Sequence, residues 1–423
     1  MWVEAAVDVD VVALETDEEV SLLVQLVAPA AGEEVGRPQA TVVVVLDRSG
    51  SMSGPRLAAA RYALSALVDR LMPTDNFGVV TFDAEVDVVV PAGPLTDRDA
   101  VRRAVRSIAS GGATDLSAGY LRGLQEARRV AGPAGARVIL ISDGHANRGI
   151  SDPDRLGGVA AQAAADGTVT TTLGMGLGYD ERLLGAIARS GTGAELFAEE
   201  PDTASAQIAG DVAGLLEQTV SAASITVRLT DNVTQLKIVN DLPSRPIEGG
   251  LMIELGGFVA AEERKVVITF SVPGMSALGA TDIASLELRY VTLPDLVEET
   301  LTIPVSVNVV PGDELAGRTI NPVVRAELVF QQAQAAKREA SRQLQDGDVV
   351  GAGAGLHAAL ANVQMAMDAA PPEHRAAFEE ETSLLTDLIA EATTGSTSRA
   401  SKTMRTDSTL KSRGPRNTRP SRP

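Results

Sequence analysis

The chain has 423 residues, room for two or three domains, and is 44% hydrophobic but only 3% aromatic, so its cores must be built from Val, Leu, Ile and Ala. It has no cysteine, which excludes disulfides, zinc–thiolate sites and a cysteine nucleophile, and its net charge of −19 argues against a nucleic-acid partner. No run approaches the ~18 apolar residues of a membrane span and the first ten residues lack the features of a signal peptide, so a cytoplasmic protein with no transmembrane segment is expected.

Residues 3–12 and 20–28 read as two strands, with alternation clearest from Val20 to Leu26, and residues 29–38 as a linker. Forty residues are too few for a domain, so these strands need partners from further along the chain. Val42 to Leu46 are five consecutive apolar residues, four of them β-branched, which is the composition of a strand buried on both faces. Strand and helix then alternate. A helix over 55–71 carries Leu57, Leu64, Leu67, Val68 and Leu71 on one face. A strand over 77–82 has an antiparallel edge at 84–90, and helices follow over 97–108, capped by Thr96, and over 116–130. The next core strand is 138–142, and elements at 153–165, 169–173, 181–188, 195–198 and 203–216 complete the alternation. This predicts an α/β domain over 39–221, a doubly wound, mostly parallel sheet covered on both faces.

Period-two runs near 224–230, 234–239, 251–255, 264–272, 283–292 and 300–310 predict a β-sandwich over 222–312. Residues 1–38 are expected to supply its first strands, which makes the α/β domain an insertion in the sandwich. Apolar stripes from Val329 to Leu344, Leu356 to Met367 and Phe378 to Leu388 predict three short helices in a module over 320–393. The tail, 394–423, is expected to be disordered. Eight Lys and Arg against the single acid Asp407 give its residues from Gly395 onward +7 and leave the body at −26. Such a tail suits the acidic body, an acidic partner or a lipid surface, and its Ser and Thr residues near Arg and Lys permit phosphorylation.

The chemistry is concentrated where the Val42–Leu46 strand breaks into Asp47-Arg48-Ser49-Gly50-Ser51. One carboxylate and two hydroxyls at alternate positions sit at the carboxyl end of a central strand, where open α/β sheets bind ligands. Hard oxygen donors suit Mg²⁺ or Mn²⁺ better than zinc or copper. The Asp-x-Ser-x-Ser spacing resembles the metal-ion-dependent adhesion site of von Willebrand factor type A domains. That family needs a Thr on a later loop, supplied by Thr114 in Gly111-Gly112-Ala113-Thr114-Asp115, and an Asp after a later strand, supplied by Asp143. The resemblance covers roughly residues 40 to 220. It implies direct coordination by Ser49, Ser51 and, in the ligand-bound state, Thr114, contact largely through water for Asp47, and either kind for Asp143. It also implies a non-enzymatic protein-binding role, with an Asp or Glu of the partner completing the coordination. Family members also serve as accessory subunits of magnesium chelatases and related ATPase machines, an alternative role. A looser similarity to inter-alpha-trypsin inhibitor heavy chains transfers no function, because those chains carry a large domain before the adhesion domain.

Other readings compete at several residues. Asp115 suits either a supporting acceptor at the metal site or the N-cap of the helix after it. Ser53 is expected to cap the helix over 55–71. His145, two residues past Asp143, raises a Ser-His-Asp hydrolase on Ser49, but Ser49 lacks the Gly-x-Ser-x-Gly elbow and no oxyanion motif stands out. Gly174-Met175-Gly176-Leu177-Gly178 lacks the Gly-Lys-Ser/Thr ending of a phosphate loop and reads as a strand-to-helix turn. His357 and His374 read as helical residues without partners.

Overall fold

The arrangement follows from a computed structural model of the chain, which describes residues 1–30, 38–144, 146–231, 233–395 and 397–413. The linker reading at 31–37 lies outside the described residues.

The run at 42–46 forms β4 (Thr41–Asp47), every residue of which is buried. Alternate side chains face opposite ways along a strand. Val42, Val44 and Leu46 therefore pack with α1 (Pro55–Arg70) and α6 (Pro201–Leu216), while Val43 and Val45 pack with α3 (Leu116–Val130), α4 (Pro153–Ala165) and α5 (Glu181–Ser190). Around β4 lie β5 (Asn76–Phe82), β6 (Val86–Pro94), β7 (Ala136–Ser142), β8 (Thr168–Met175) and β9 (Thr192–Ala198). Their order among the described residues is β6-β5-β4-β7-β8-β9, parallel except for antiparallel β6. Between β6 and α3 runs α2 (Arg98–Arg106), capped by Asp97, whose carboxylate accepts the Ala100 N–H at 2.8 Å. Thr96 was the expected cap, and the true one lies one residue on.

The N-terminal strands do not pair with this sheet. The expected strand at 3–12 is broken at Asp8, giving β1 (Trp2–Val7) and β2 (Val11–Ala13) in different sheets of the sandwich. Asp8 fixes the break by accepting the Ser21 N–H at 2.7 Å on its carboxylate. The remaining strands are β3 (Glu18–Val27), β10 (Gln218–Leu229), β11 (Gln235–Ile238), β12 (Ser244–Ile247), β13 (Gly250–Val259), β14 (Glu263–Val272), β15 (Gly279–Thr292) and β16 (Val297–Val310). One sheet is ordered β1-β3-β14-β11 and the other β12-β13-β10-β15-β16-β2. β3 pairs with β14 from Val27↔Glu263 to Glu18↔Val272, and β2 runs parallel to the end of β16. The α/β domain is thus inserted between β3 and β10. Leu22, Val24 and Leu26 enter the sandwich core, whereas Leu23 faces outward with Val267 against Val324 and Leu328 of a helix. That second covering explains why β3 is buried on both faces over its middle.

The helical module has α7 (Pro322–Gln345), α8 (Val349–Met367) and α9 (Pro372–Thr394), all longer than the short helices expected. His357 is exposed, with Nδ1 2.8 Å from the Gly353 carbonyl. His374 is buried with Nε2 3.9 Å from Glu327, so the reading of it as partnerless does not hold.

A fourth helix, α10 (Thr397–Arg413), replaces the disorder expected of the tail. Ala400 and Met404 enter the module core, but charge does most to explain the docking. Arg405 Nε lies 2.8 and 2.9 Å from the two oxygens of buried Glu195 on β9. Lys402 sits 4.0 Å over the Tyr179 ring and 3.4 Å from Glu181. Lys411 reaches Glu381 of α9 at 2.7 Å, and Arg413 reaches Asp241 of the sandwich at 3.2 Å. Sparse apolar content predicts disorder for a chain alone; here the acidic body supplies fixed partners. Residues 414–423 of the expected tail lie outside the described residues.

Removing one partner of a buried ion pair strands the other charge in the interior, at a cost of roughly 3–5 kcal/mol. Arg405→Ala is therefore expected to destabilise the protein by about 3 kcal/mol in chemical denaturation, because Glu195 is 3% exposed. Arg399→Ala, which breaks the exposed contact with Glu199, should leave the midpoint unchanged.

Candidate functional site

Neighbouring parallel strands β4 and β7 end side by side, since Leu46 pairs with Ile141. Asp47 closes β4 and Asp143 follows β7, so the two carboxylates meet at the carboxyl edge of the sheet, 0% and 2% exposed. Asp47 Oδ1 accepts the Ser49 N–H at 2.8 Å and Oδ2 accepts the Ser142 hydroxyl at 2.7 Å. The Ser49 and Ser51 hydroxyls are 3.1 Å apart, and Ser51 Oγ donates to Asp143 Oδ1 at 2.8 Å. Four of the five residues singled out by motif thus form one cluster of oxygens. Burial pushes the Asp47 carboxyl above its usual range and the charge of Asp143 adds to this, while the bonds from Ser142 and Ser49 work against both.

The fifth, Thr114, is buried on the loop between α2 and α3. That loop is laced to the first: the Gly111 N–H donates to the Arg48 carbonyl at 2.7 Å and the Gly50 N–H to the Gly112 carbonyl at 3.1 Å. The Thr114 N–H donates to Asn147 Oδ1 at 2.9 Å, and its carbonyl accepts from the Asn147 and Arg148 N–H groups, both at 3.2 Å, tying in the segment after Asp143. The loops that follow β4, α2 and β7 are therefore bonded to one another.

Asp115 is the N-cap of α3, accepting the Ala118 N–H at 3.0 Å and the Ser117 hydroxyl at 2.8 Å. Ser53 is not the N-cap of α1: Gly54 holds that position, at φ +76°, and Ser53 instead ends the short turn over Gly50–Met52. His145 lies outside the described residues.

Motif reading missed the residues that hold the loops. Asp83, just after β5, accepts the Glu85 N–H at 2.8 Å and the Gly112 N–H at 3.3 Å and lies 3.4 Å from Arg48 Nε. Gly111 passes so close that a Cβ there would fall 1.7 Å from Asp83 Oδ2, which explains the glycine at that position. Ser142, the residue before Asp143, supports Asp47 rather than its own neighbour. Arg56, in the first turn of α1, places Nη1 2.6 Å from Asp143 Oδ2. None of these recurs at a motif spacing; the only cue was position at a strand or helix end.

The donor set fits a hard divalent cation: two buried carboxylates and two hydroxyls linked in a chain at one edge of the sheet, all oxygen donors.

Residues 41–210 match the von Willebrand factor type A domain family. The chain contains a von Willebrand factor type A domain. It is 30% identical over 178 residues to an uncharacterized protein of Synechocystis, covering 42% of each chain. It is 33% identical over 175 residues to a UPF0353 protein of Mycolicibacterium paratuberculosis, covering 38% of this chain and 51% of that one. It is 29% identical over 179 residues to inter-alpha-trypsin inhibitor heavy chain H3 of Mesocricetus auratus, covering 40% of this chain and 20% of that one. The chain spans about half or less of the length of these curated relatives. Among solved structures, a von Willebrand factor type A protein from Catenulispora acidiphila matches with TM-score 0.72 and 20% identity, over 91% of this chain and 89% of that one. The ArnB paralog VWA2 from Sulfolobus acidocaldarius matches with TM-score 0.64 and 17% identity, over 96% and 98%. The likeness in fold therefore runs through the sandwich and helices as well as the von Willebrand factor type A domain. No described helix is long and apolar enough to cross a membrane.

Asp83 should act as the staple of the Thr114 loop. Burial pulls its carboxyl upward, but the Glu85 and Gly112 N–H groups and Arg48 together bring it below the ordinary value of 3.8. A depressed carboxylate contributes stability that is full above the unfolded value and lost as pH falls through the folded one. Hydrogen-exchange protection of the Gly111 and Asp115 amides is therefore expected to drop below about pH 4. Asp83→Asn should lower that protection at neutral pH and flatten its pH dependence; unchanged protection would remove Asp83 from this role.

Proposed function

We propose that the chain is a divalent-cation-dependent protein-binding module, not an enzyme. Asp47, Ser49, Ser51, Thr114 and Asp143 would hold Mg²⁺ or Mn²⁺, and an Asp or Glu side chain of a protein partner would complete the coordination. Von Willebrand factor type A domains commonly mediate protein–protein interaction, and this reading gives that general role a chemical basis. The observation that carries it is the contact chain Asp47–Ser49–Ser51–Asp143, which gathers two buried carboxylates and two hydroxyls at the carboxyl edge of the sheet. When bound, the cation supplies the positive charge that a partner carboxylate needs. The protein's own part is to keep the oxygens in place: Ser142 fixes Asp47, and backbone bonds tie the loop carrying Thr114 to the loop after β4. Binding rather than turnover is favoured because the Ser49 hydroxyl contacts another hydroxyl and its amide is used on Asp47. The module is proposed to work in the cytoplasm.

A ligand that binds the folded state alone stabilises it by about 2.7 kcal/mol at a hundredfold excess over its dissociation constant. Mg²⁺ or Mn²⁺ should thus raise the melting temperature of the full chain in a concentration-dependent way. Asp47→Ala should abolish the rise, because half of the neutralising charge is gone. Calorimetry on the wild type showing no heat of binding at millimolar Mn²⁺ would contradict the proposal.

A further inference from the structure

We propose that Arg56 is a tethered cation that competes with the divalent ion for Asp143 and, with the ion in place, adds positive charge that attracts a carboxylate. This rests on the metal-site reading. Arg56 Nη1 donates to Asp143 Oδ2 at 2.6 Å and to the Ser51 carbonyl at 3.3 Å, so one guanidinium bridges the first loop and the end of β7. The Asp143 side chain is fully buried while that of Arg56 is 37% exposed, which puts the guanidinium on the solvent side of the cluster.

Two further features point to a role beyond packing. A cation in the first turn of a helix opposes the helix dipole, and α1 has no acidic residue in that turn to offset it. The guanidinium also lies against the turn after β8, where a Cβ on Gly176 would approach Arg56 Nη2 to 2.7 Å.

The charges then decide the behaviour. Asp47 and Asp143 carry two negative charges, and Arg56 reduces the cluster to −1. A divalent ion takes it to +1, whereas without Arg56 the same ion would leave it neutral. Arg56 therefore weakens the metal site and makes the occupied site more attractive to an anionic group. Because the guanidinium is over a third exposed, both effects are screened by salt.

The test is Mn²⁺ titration of the full chain, followed by electron paramagnetic resonance, with Arg56→Gln and Arg56→Lys as variants and melting curves to establish that each is folded. Arg56→Gln should bind Mn²⁺ about tenfold more tightly than wild type, Arg56→Lys within about threefold of it, and the gap should narrow between about 0.05 and 0.5 M salt. With Mn²⁺ saturating, relaxation of acetate protons, the simplest carboxylate probe, should report weaker acetate association in Arg56→Gln. If wild type binds Mn²⁺ and Arg56→Gln binds it equally or less tightly, the tethered-cation role is overturned and the metal site stands. If neither protein binds Mn²⁺, both fall together.

Discussion

Two buried carboxylates at the ends of neighbouring parallel strands are the constraint on which the site depends. Asp47 and Asp143 are held where β4 and β7 stop, so the sheet register itself brings like charges together. Bringing carboxylates out of water and next to one another is unfavourable unless positive charge or hydrogen bonds compensate. Each local feature answers that problem. Ser142 and the Ser49 amide hold Asp47, Ser51 holds one oxygen of Asp143, and Arg56 meets the other. These contacts leave two carboxylates supported mainly by neutral donors and one partly exposed guanidinium, which is the setting on which the proposed cation site rests.

The rest of the molecule provides a rigid mount for that edge. The domain bearing the site is inserted between β3 and β10 of the sandwich, and β3 is fixed by β1, β14 and the underlying helix α7. On the other side α10 lies along β9, the edge strand of the inserted sheet, and pairs with acids of all three regions: Glu195 and Glu181, Asp241, and Glu381. An edge strand covered by a helix is protected from pairing with other chains. The same helix ties the inserted domain to the body through ion pairs, in addition to the two strand connections.

Much of this was legible in the residues. Val42 to Leu46 announced a strand buried on both faces, and the placement of Asp47, Ser49, Ser51 and Asp143 followed from where strands end. The inserted topology followed from a simple shortage: two N-terminal strands had no partners nearby. What was not legible depended on contacts distant in sequence. The tail from Gly395 has the composition of disorder, and only the positions of Glu195, Glu181, Asp241 and Glu381 in space explain why its residues Thr397–Arg413 form α10. The break of the first strand at Asp8 depends on Ser21, and the role of Asp83 depends on Gly112, 29 residues away. Arg56 belongs to no motif, and nothing in local spacing tells that its guanidinium reaches Asp143.

The most direct test of the central claim is diffraction from crystals of the full chain grown with Mn²⁺, using the anomalous signal of the metal. The account predicts a single strong peak within coordinating distance of the Ser49 and Ser51 hydroxyls, beside Asp47, Asp143 and the Thr114 loop. No peak at that edge, in crystals of a folded protein at millimolar Mn²⁺, would contradict it.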